Sequence, residues 1–113
     1  MQEITTITSS PKQRMMLVLE NNETVDFRIY YLPRQIGWFY DFTYNDITVN
    51  CSRVTLTLNA LRQYRNLIPF GFAFVTEGFV EPFAINDFSS GRVHFYILNQ
   101  DEVQQVEDEV YSV

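Results

Sequence analysis

Two side chains in this sequence have the widest chemical reach, and there is one of each: His94 and Cys51. A histidine can serve as a general base near neutral pH. Catalysis through it needs a nucleophile beside the ring and a carboxylate to orient it. No Ser or Cys shares a motif with His94, and nothing in the sequence designates the carboxylate. The simpler reading is a surface or packing residue. Zinc needs three or four protein ligands, and one His with one distant Cys does not supply them. The acids Asp101, Glu102, Glu107, Asp108 and Glu109 lack the Gly and the spaced Asp/Asn pattern of a calcium loop. Asp26, Asp41, Glu77, Glu81 and Asp87 are acidic, but a glycosidase pair is defined by separation in space. Gly37, Gly71, Gly78 and Gly91 have no phosphate-loop spacing. Arg53 can lower the Cys51 thiol pKa, yet a structural or incidental cysteine is the better reading. The sequence therefore points to no catalytic residue, no cofactor, no metal and no enzyme.

Charge narrows the partners. The chain has 113 residues and net charge −6. Residues 1–99 hold nine acids against eight bases, net −1, and residues 100–113 hold five acids and no base, net −5. An acidic chain without a basic patch is a poor nucleic-acid binder, because phosphate contacts supply most of that affinity. Arg28, Tyr30, Tyr40 and Arg92 can be imagined as a stacking platform for single strands, but the neutral body and acidic tail argue against it. Seven of the eight bases are Arg, the cation favoured at protein interfaces. Met1 to Ser10 is polar and lacks the pattern of a signal peptide. No apolar stretch approaches the roughly 20 residues that span a bilayer. The expectation is a soluble protein made in a cytoplasm, with no membrane partner.

The elements that position these residues are strands. Apolar and polar residues alternate with period two over Val25 to Tyr31, Trp38 to Tyr44, Val54 to Leu58 and Val93 to Leu98. Met15, Leu17 and Leu19 predict another strand, and Gln2 to Ile7 an edge strand. Phe70 to Val75 is almost continuously apolar, as in a strand covered on both faces. Asn21-Asn22 and Asn45-Asp46 suit hairpin turns, since Asn tolerates positive φ. Leu61, Tyr64, Leu67 and Ile68 predict a short helix over Ala60 to Ile68, with Asn59 as its cap. The fold class is all-β and mainly antiparallel: a small barrel or two-sheet sandwich with one short helix and an acidic C-terminal tail. Residues 1–98 form a single β domain, and residues 99–113 an acidic extension. In that extension Val103, Val106 and Val110 make only a thin apolar stripe, and Val is a mediocre helix former. The expectation is a tail disordered in the free protein, ordering against a neighbouring subunit.

The order of segments carries a family resemblance. After Met1-Gln2-Glu3-Ile4 come Thr24-Val25-Asp26-Phe27-Arg28-Ile29-Tyr30-Tyr31 and Gly37-Trp38-Phe39-Tyr40-Asp41-Phe42. Asp46-Ile47-Thr48-Val49 follows, then a helical turn from Leu61 to Leu67. Phe70 to Gly78 and Gly91-Arg92-Val93-His94-Phe95-Tyr96-Ile97-Leu98 close the pattern. Over most of residues 1–98 this layout resembles the small baseplate plug proteins of contractile-tailed bacteriophages. The chain departs from it in its long region before Asp26 and in the acidic extension after Leu98.

The resemblance implies a structural virion protein of the tail baseplate that closes the distal end of the tail tube near the central hub. It implies contacts with hub, tail-tube and neighbouring baseplate proteins, and synthesis in the host bacterial cytoplasm. Self-association in a symmetric ring is a further option. Another small tail component, such as a sheath initiator or tube-end adaptor, is an alternative, as is a soluble β module that binds a ligand or peptide. Interface candidates are Arg28, Tyr30, Arg34 and Arg92 on outward faces or in a loop. Phe79, Phe83 and Phe88 lie in an apolar loop that is either core or contact surface, and Val103, Val106 and Val110 lie in the tail.

Overall fold

The computed structural model describes residues 1–111. Seven strands form two antiparallel sheets. β1 (Gln2–Ile4), β7 (Val93–Leu98) and β6 (Gly71–Thr76) form one, in that order. β2 (Lys12–Val18), β3 (Thr24–Leu32), β4 (Gly37–Tyr44) and β5 (Ile47–Arg53) form the other as a meander. The sheets stack as a sandwich and do not close into a barrel.

The period-two pattern explains the stacking. In β3, Val25, Phe27 and Ile29 point inward and are fully buried, while Asp26, Arg28 and Tyr30 face out. In β4, Trp38, Tyr40 and Phe42 do the same. The opposing sheet contributes Phe72, Phe74 and Phe95. Phe95 packs 5.0 Å from Phe72 edge-on, 4.8 Å from Phe74 and 5.1 Å from Phe27. Phe72 meets Phe27, Tyr40 and Phe42 at 5.6, 5.8 and 5.5 Å. Each aromatic pair adds about 0.5–1.5 kcal/mol beyond its buried area.

The hairpin turns fall at the expected asparagines. Asn22 and Asn45 both take positive φ, 67° and 51°. The expected strand over Val54 to Leu58 does not form. Those residues cross from one sheet to the other. Val54 still donates to the Trp38 carbonyl at 2.9 Å, and Thr57 already pairs with Phe74 of β6. Their alternation reflects a crossover along the sandwich edge. The expected helix over Ala60 to Ile68 shrinks to a 3-10 turn at Arg62–Tyr64. Leu61 and Ile68 are buried, but Leu67 is 66% exposed, so the apolar face that would stabilise a helix is incomplete. Asn59 caps no helix. Its Oδ1 instead accepts the Leu61 N–H at 3.0 Å inside the protein.

The tail differs most from expectation. It forms α1 (Gln100–Val106), which runs on as a π-helical turn over Glu107–Tyr111. Three interactions overcome the weak propensity of valine. Asn99 and Glu102 make a reciprocal capping box. Val103 is buried on Ala73 and Leu98, on the outward side of the three-stranded sheet. Arg62 and Arg65 both reach the Glu107 carboxylate, at 2.7 and 2.8 Å. The tail therefore orders against its own chain. Ser112 and Val113 of the predicted extension lie outside the described residues.

Gly71 is where the tail, the crossover and the sheet converge. A Cβ there would lie 2.6 Å from Asn59 Oδ1 and 3.0 Å from Val103 Cγ2. Replacing Gly71 by Ala should loosen α1, seen as faster amide exchange over residues 100–106 while β3 and β4 stay protected. Replacing Phe72 by Ala should cost about 3–5 kcal/mol in urea unfolding, since it leaves a cavity between the sheets.

Candidate functional site

The outward face of the four-stranded sheet holds the densest group of functional side chains. Strand register builds it in rows. Arg14, Arg28 and Asp41 stand side by side across β2, β3 and β4, and Lys12, Tyr30, Phe39 and Arg53 form the next row. Arg14 grips Asp26 with two bonds, at 2.9 and 2.8 Å. Arg28 Nη2 donates to Thr43 Oγ1 at 3.2 Å, while its buried Nε has no partner among the described residues. Tyr30 stacks on Phe39 at 6.3 Å, and the Arg53 guanidinium lies 5.2 Å above the Phe39 ring. Beside these rows runs an open groove of about 800 Å³, lined by Pro11, Lys12, Arg14, Arg28, Tyr30 and Leu32 among others.

Asp41 holds this face in shape. Its Oδ1 accepts the Tyr30 hydroxyl at 2.9 Å and the Cys51 N–H at 2.6 Å. The β4–β5 register shifts between Tyr40 and Phe42, and Cys51 sits at φ 57°. This is a β-bulge whose freed N–H is taken by a side chain. Burial, and then the Asp41 carboxylate, push the Tyr30 phenol well above its ordinary pKa. It is a hydrogen-bond donor, not a base. Cys51 is exposed, with no second cysteine to pair with.

A second constellation organises the apolar loop before β7. Asp87 is buried and accepts the backbone N–H groups of Phe83 and Ala84 at 2.7 and 2.8 Å. Arg92 donates to both of its carboxylate oxygens at 2.8 Å, and to the carbonyls of Val80 and Glu81 at 3.0 and 3.2 Å. Gly91, at φ 81°, makes the turn between them. Burial pushes the Asp87 carboxyl upward, but Arg92 and the two N–H groups outweigh it and hold it below the usual carboxylate range. The loop is tied to β3 and β4 by Tyr31, whose hydroxyl donates to the Phe83 carbonyl at 2.7 Å, and by Trp38 Nε1, which donates to the Ala84 carbonyl at 3.0 Å.

The predicted interface residues divide accordingly. Arg28 and Tyr30 share the outer sheet face, and Arg34 is exposed in the β3–β4 turn. Phe83 is 49% exposed, with the Arg92 guanidinium 4.7 Å over its ring. Phe88 turns inward against Trp38, at 5.4 Å. Arg92 is engaged inside the loop by four hydrogen bonds, and Val103 is buried on its own sheet. Val106 is half-buried beside Val103, and Val110 is half exposed. The side chain of Phe79 lies outside what the structure describes. Sequence reasoning did not bring Lys12, Arg14, Phe39, Asp41 and Arg53 together on this face. The period-two parity of β2 and β4 was the available signal for the first four. No local pattern marks Asp87.

His94 lies on the outward side of the three-stranded sheet, with Nδ1 3.1 Å from Glu3 and Nε2 3.5 Å from Glu77. It has a carboxylate on each side. Among the described residues no group of three or more His, Cys, Asp or Glu side chains is placed to hold a metal, and no helix is long and apolar enough to cross a membrane.

The polar side chains of this sandwich brace its loops, its bulge and the start of its helix. The comparison with known families gives the particular case. The family described as "Cyanophage baseplate Pam3 plug gp18" matches residues 1–101, and the chain belongs to that family of phage baseplate proteins. No curated protein matches it. It is thus a structural protein of a phage baseplate, as the segment order implied.

Replacing Asp87 by Ala should cost about 3 kcal/mol at pH 7, because it strands Arg92 and two N–H groups in a mostly buried site. The folded state holds the Asp87 carboxyl low, so its contribution is complete above about pH 4 and fades as the pH falls through the folded value. Urea melts of both proteins from pH 7 to about pH 3 should show the gap narrowing.

Proposed function

We propose that this protein closes the distal end of a contractile tail tube, seated in the baseplate beside hub and tube proteins, and that it has no catalytic role. The observation that carries the reading is the match of residues 1–101 to a baseplate plug family. The structure is in keeping with it. A core of interlocked rings resists deformation, as a stopper must. Its polar residues brace the molecule instead of converging on a reacting atom. The loop end of the sandwich presents Ile36, Val80, Phe83 and Ile85 to the outside, with Arg34 nearby in sequence, and suits contact with a neighbouring protein.

Residues 1–98 act as the body of the plug, and residues 99–113 as an acidic extension whose helix α1 packs on that body. Synthesis takes place in the infected bacterial cytoplasm, before incorporation into the virion.

Quantitative mass spectrometry of gradient-purified virions tests this, with extended and contracted particles compared. The expected result is a few copies per extended particle and loss on contraction. Retention after contraction would replace the plug by a fixed adaptor. Absence from virions would remove the baseplate role.

A further inference from the structure

Charge is sorted onto opposite sides of this sandwich. α1 and its continuation lie on the outward side of the three-stranded sheet, and they bring Asp101, Glu102, Glu107, Asp108 and Glu109 to that side. The opposite outer face, on the four-stranded sheet, carries Lys12, Arg14, Arg28 and Arg53 against Asp26 and Asp41. That is half the bases of a chain whose net charge is −6. Of the rest, Arg62 and Arg65 are engaged on Glu107 and Arg92 on Asp87, while Arg34 is exposed in the β3–β4 turn.

The two sides also match in shape and apolar content. The basic face holds the open groove of about 800 Å³, walled by Pro11, Tyr30, Tyr31 and Leu32. Met16 and Val18, each more than half exposed, extend the apolar surface along β2. Within the last turn of the helical segment stands an exposed apolar side chain, Val110, preceded by the exposed carboxylates of Asp108 and Glu109. Gln104 donates to Asp108 at 2.9 Å and Gln105 to Glu109 at 3.3 Å.

We propose that the acidic helical end of one copy docks in the basic, aromatic groove of a second copy. Val110 would enter between Tyr30 and Leu32, and Asp108 and Glu109 would face Lys12, Arg14 and Arg28. The two patches lie on opposite sides of one molecule, so the contact is head-to-tail. Repeated, it closes a ring if the rotation between copies permits, and otherwise runs on as a stack. Electrostatic attraction of this kind is screened by salt. The proposal deepens the baseplate reading by naming one neighbour, but it rests on the charge and geometry of this chain.

The test is light scattering and native mass spectrometry of the full chain, at about 50 mM and about 500 mM salt. Assemblies larger than a monomer are expected at low salt, dissociating at high salt. Lys12→Glu with Arg14→Glu should weaken assembly roughly tenfold or more, as should Asp108→Lys with Glu109→Lys. Combining the two pairs should restore it, because the charges are then exchanged across the contact. Thermal melts check folding, and Lys12→Glu alone, at an exposed position, serves if the first pair does not fold. A monomer at low salt, an assembly indifferent to either reversal, or a folded fourfold variant that does not reassemble would each overturn the proposal. A monomer that is nonetheless found in virions sinks this contact and leaves the plug reading intact. Assembly in solution with absence from virions does the reverse.

Discussion

The contact of Phe95 with Phe27, Phe72 and Phe74 is the constraint on which the rest of the molecule depends. Phe27 belongs to one sheet and the other three rings to the opposing one. The edge-on and offset geometries they adopt are those an aromatic quadrupole favours. Because the rings interlock, they set the register between the sheets as well as their separation. That register in turn decides which side chains stand in rows outside. The placement of Arg14 beside Arg28 and Asp41 is a consequence of Phe27 and Phe42 being inside.

Polar groups then do the local shaping. Three carboxylates act as templates for irregular backbone. Asp41 fills the bulge opposite Cys51, Asp87 gathers the loop before β7, and Glu102 closes the start of α1. In each case a side chain accepts a main-chain N–H that no strand partner can reach. Asp41, Asp87 and Glu102 are each committed to such a structural task. The same arrangement leaves charge segregated: five acids gather on the helical layer and half of the bases on the opposite sheet. A structural protein that must find its place among neighbours gains orientation from such polarity, since attraction acts before contact is made.

Much of this was legible in the sequence. Period-two alternation located the strands around Phe27, Tyr40 and Phe95, because a residue's side of a strand follows from parity alone. Asparagines marked both tight hairpins. The order of these segments sufficed to suggest the family. What misled were short segments where local pattern and tertiary setting disagree. Val54 to Leu58 alternates like a strand but crosses between sheets. Ala60 to Ile68 has a helical stripe too incomplete to nucleate. Arg92 read as a surface cation because its partner, Asp87, shows no spacing rule.

The tail shows the division most clearly. Its acidity and its three valines, Val103, Val106 and Val110, are properties of the sequence, and by themselves they describe a weak helix. Whether it folds was decided by groups distant in the chain: Ala73 beneath Val103, and Arg62 and Arg65 on Glu107. The sequence by itself determined the strand faces, the turns and the overall charge, since these depend on neighbours within a few residues. Only the tertiary structure decided the crossover, the loop staple, the ordered tail and the opposition of basic and acidic faces. Each of these is an encounter between residues far apart in sequence, and local periodicity carries no information about which distant group will arrive.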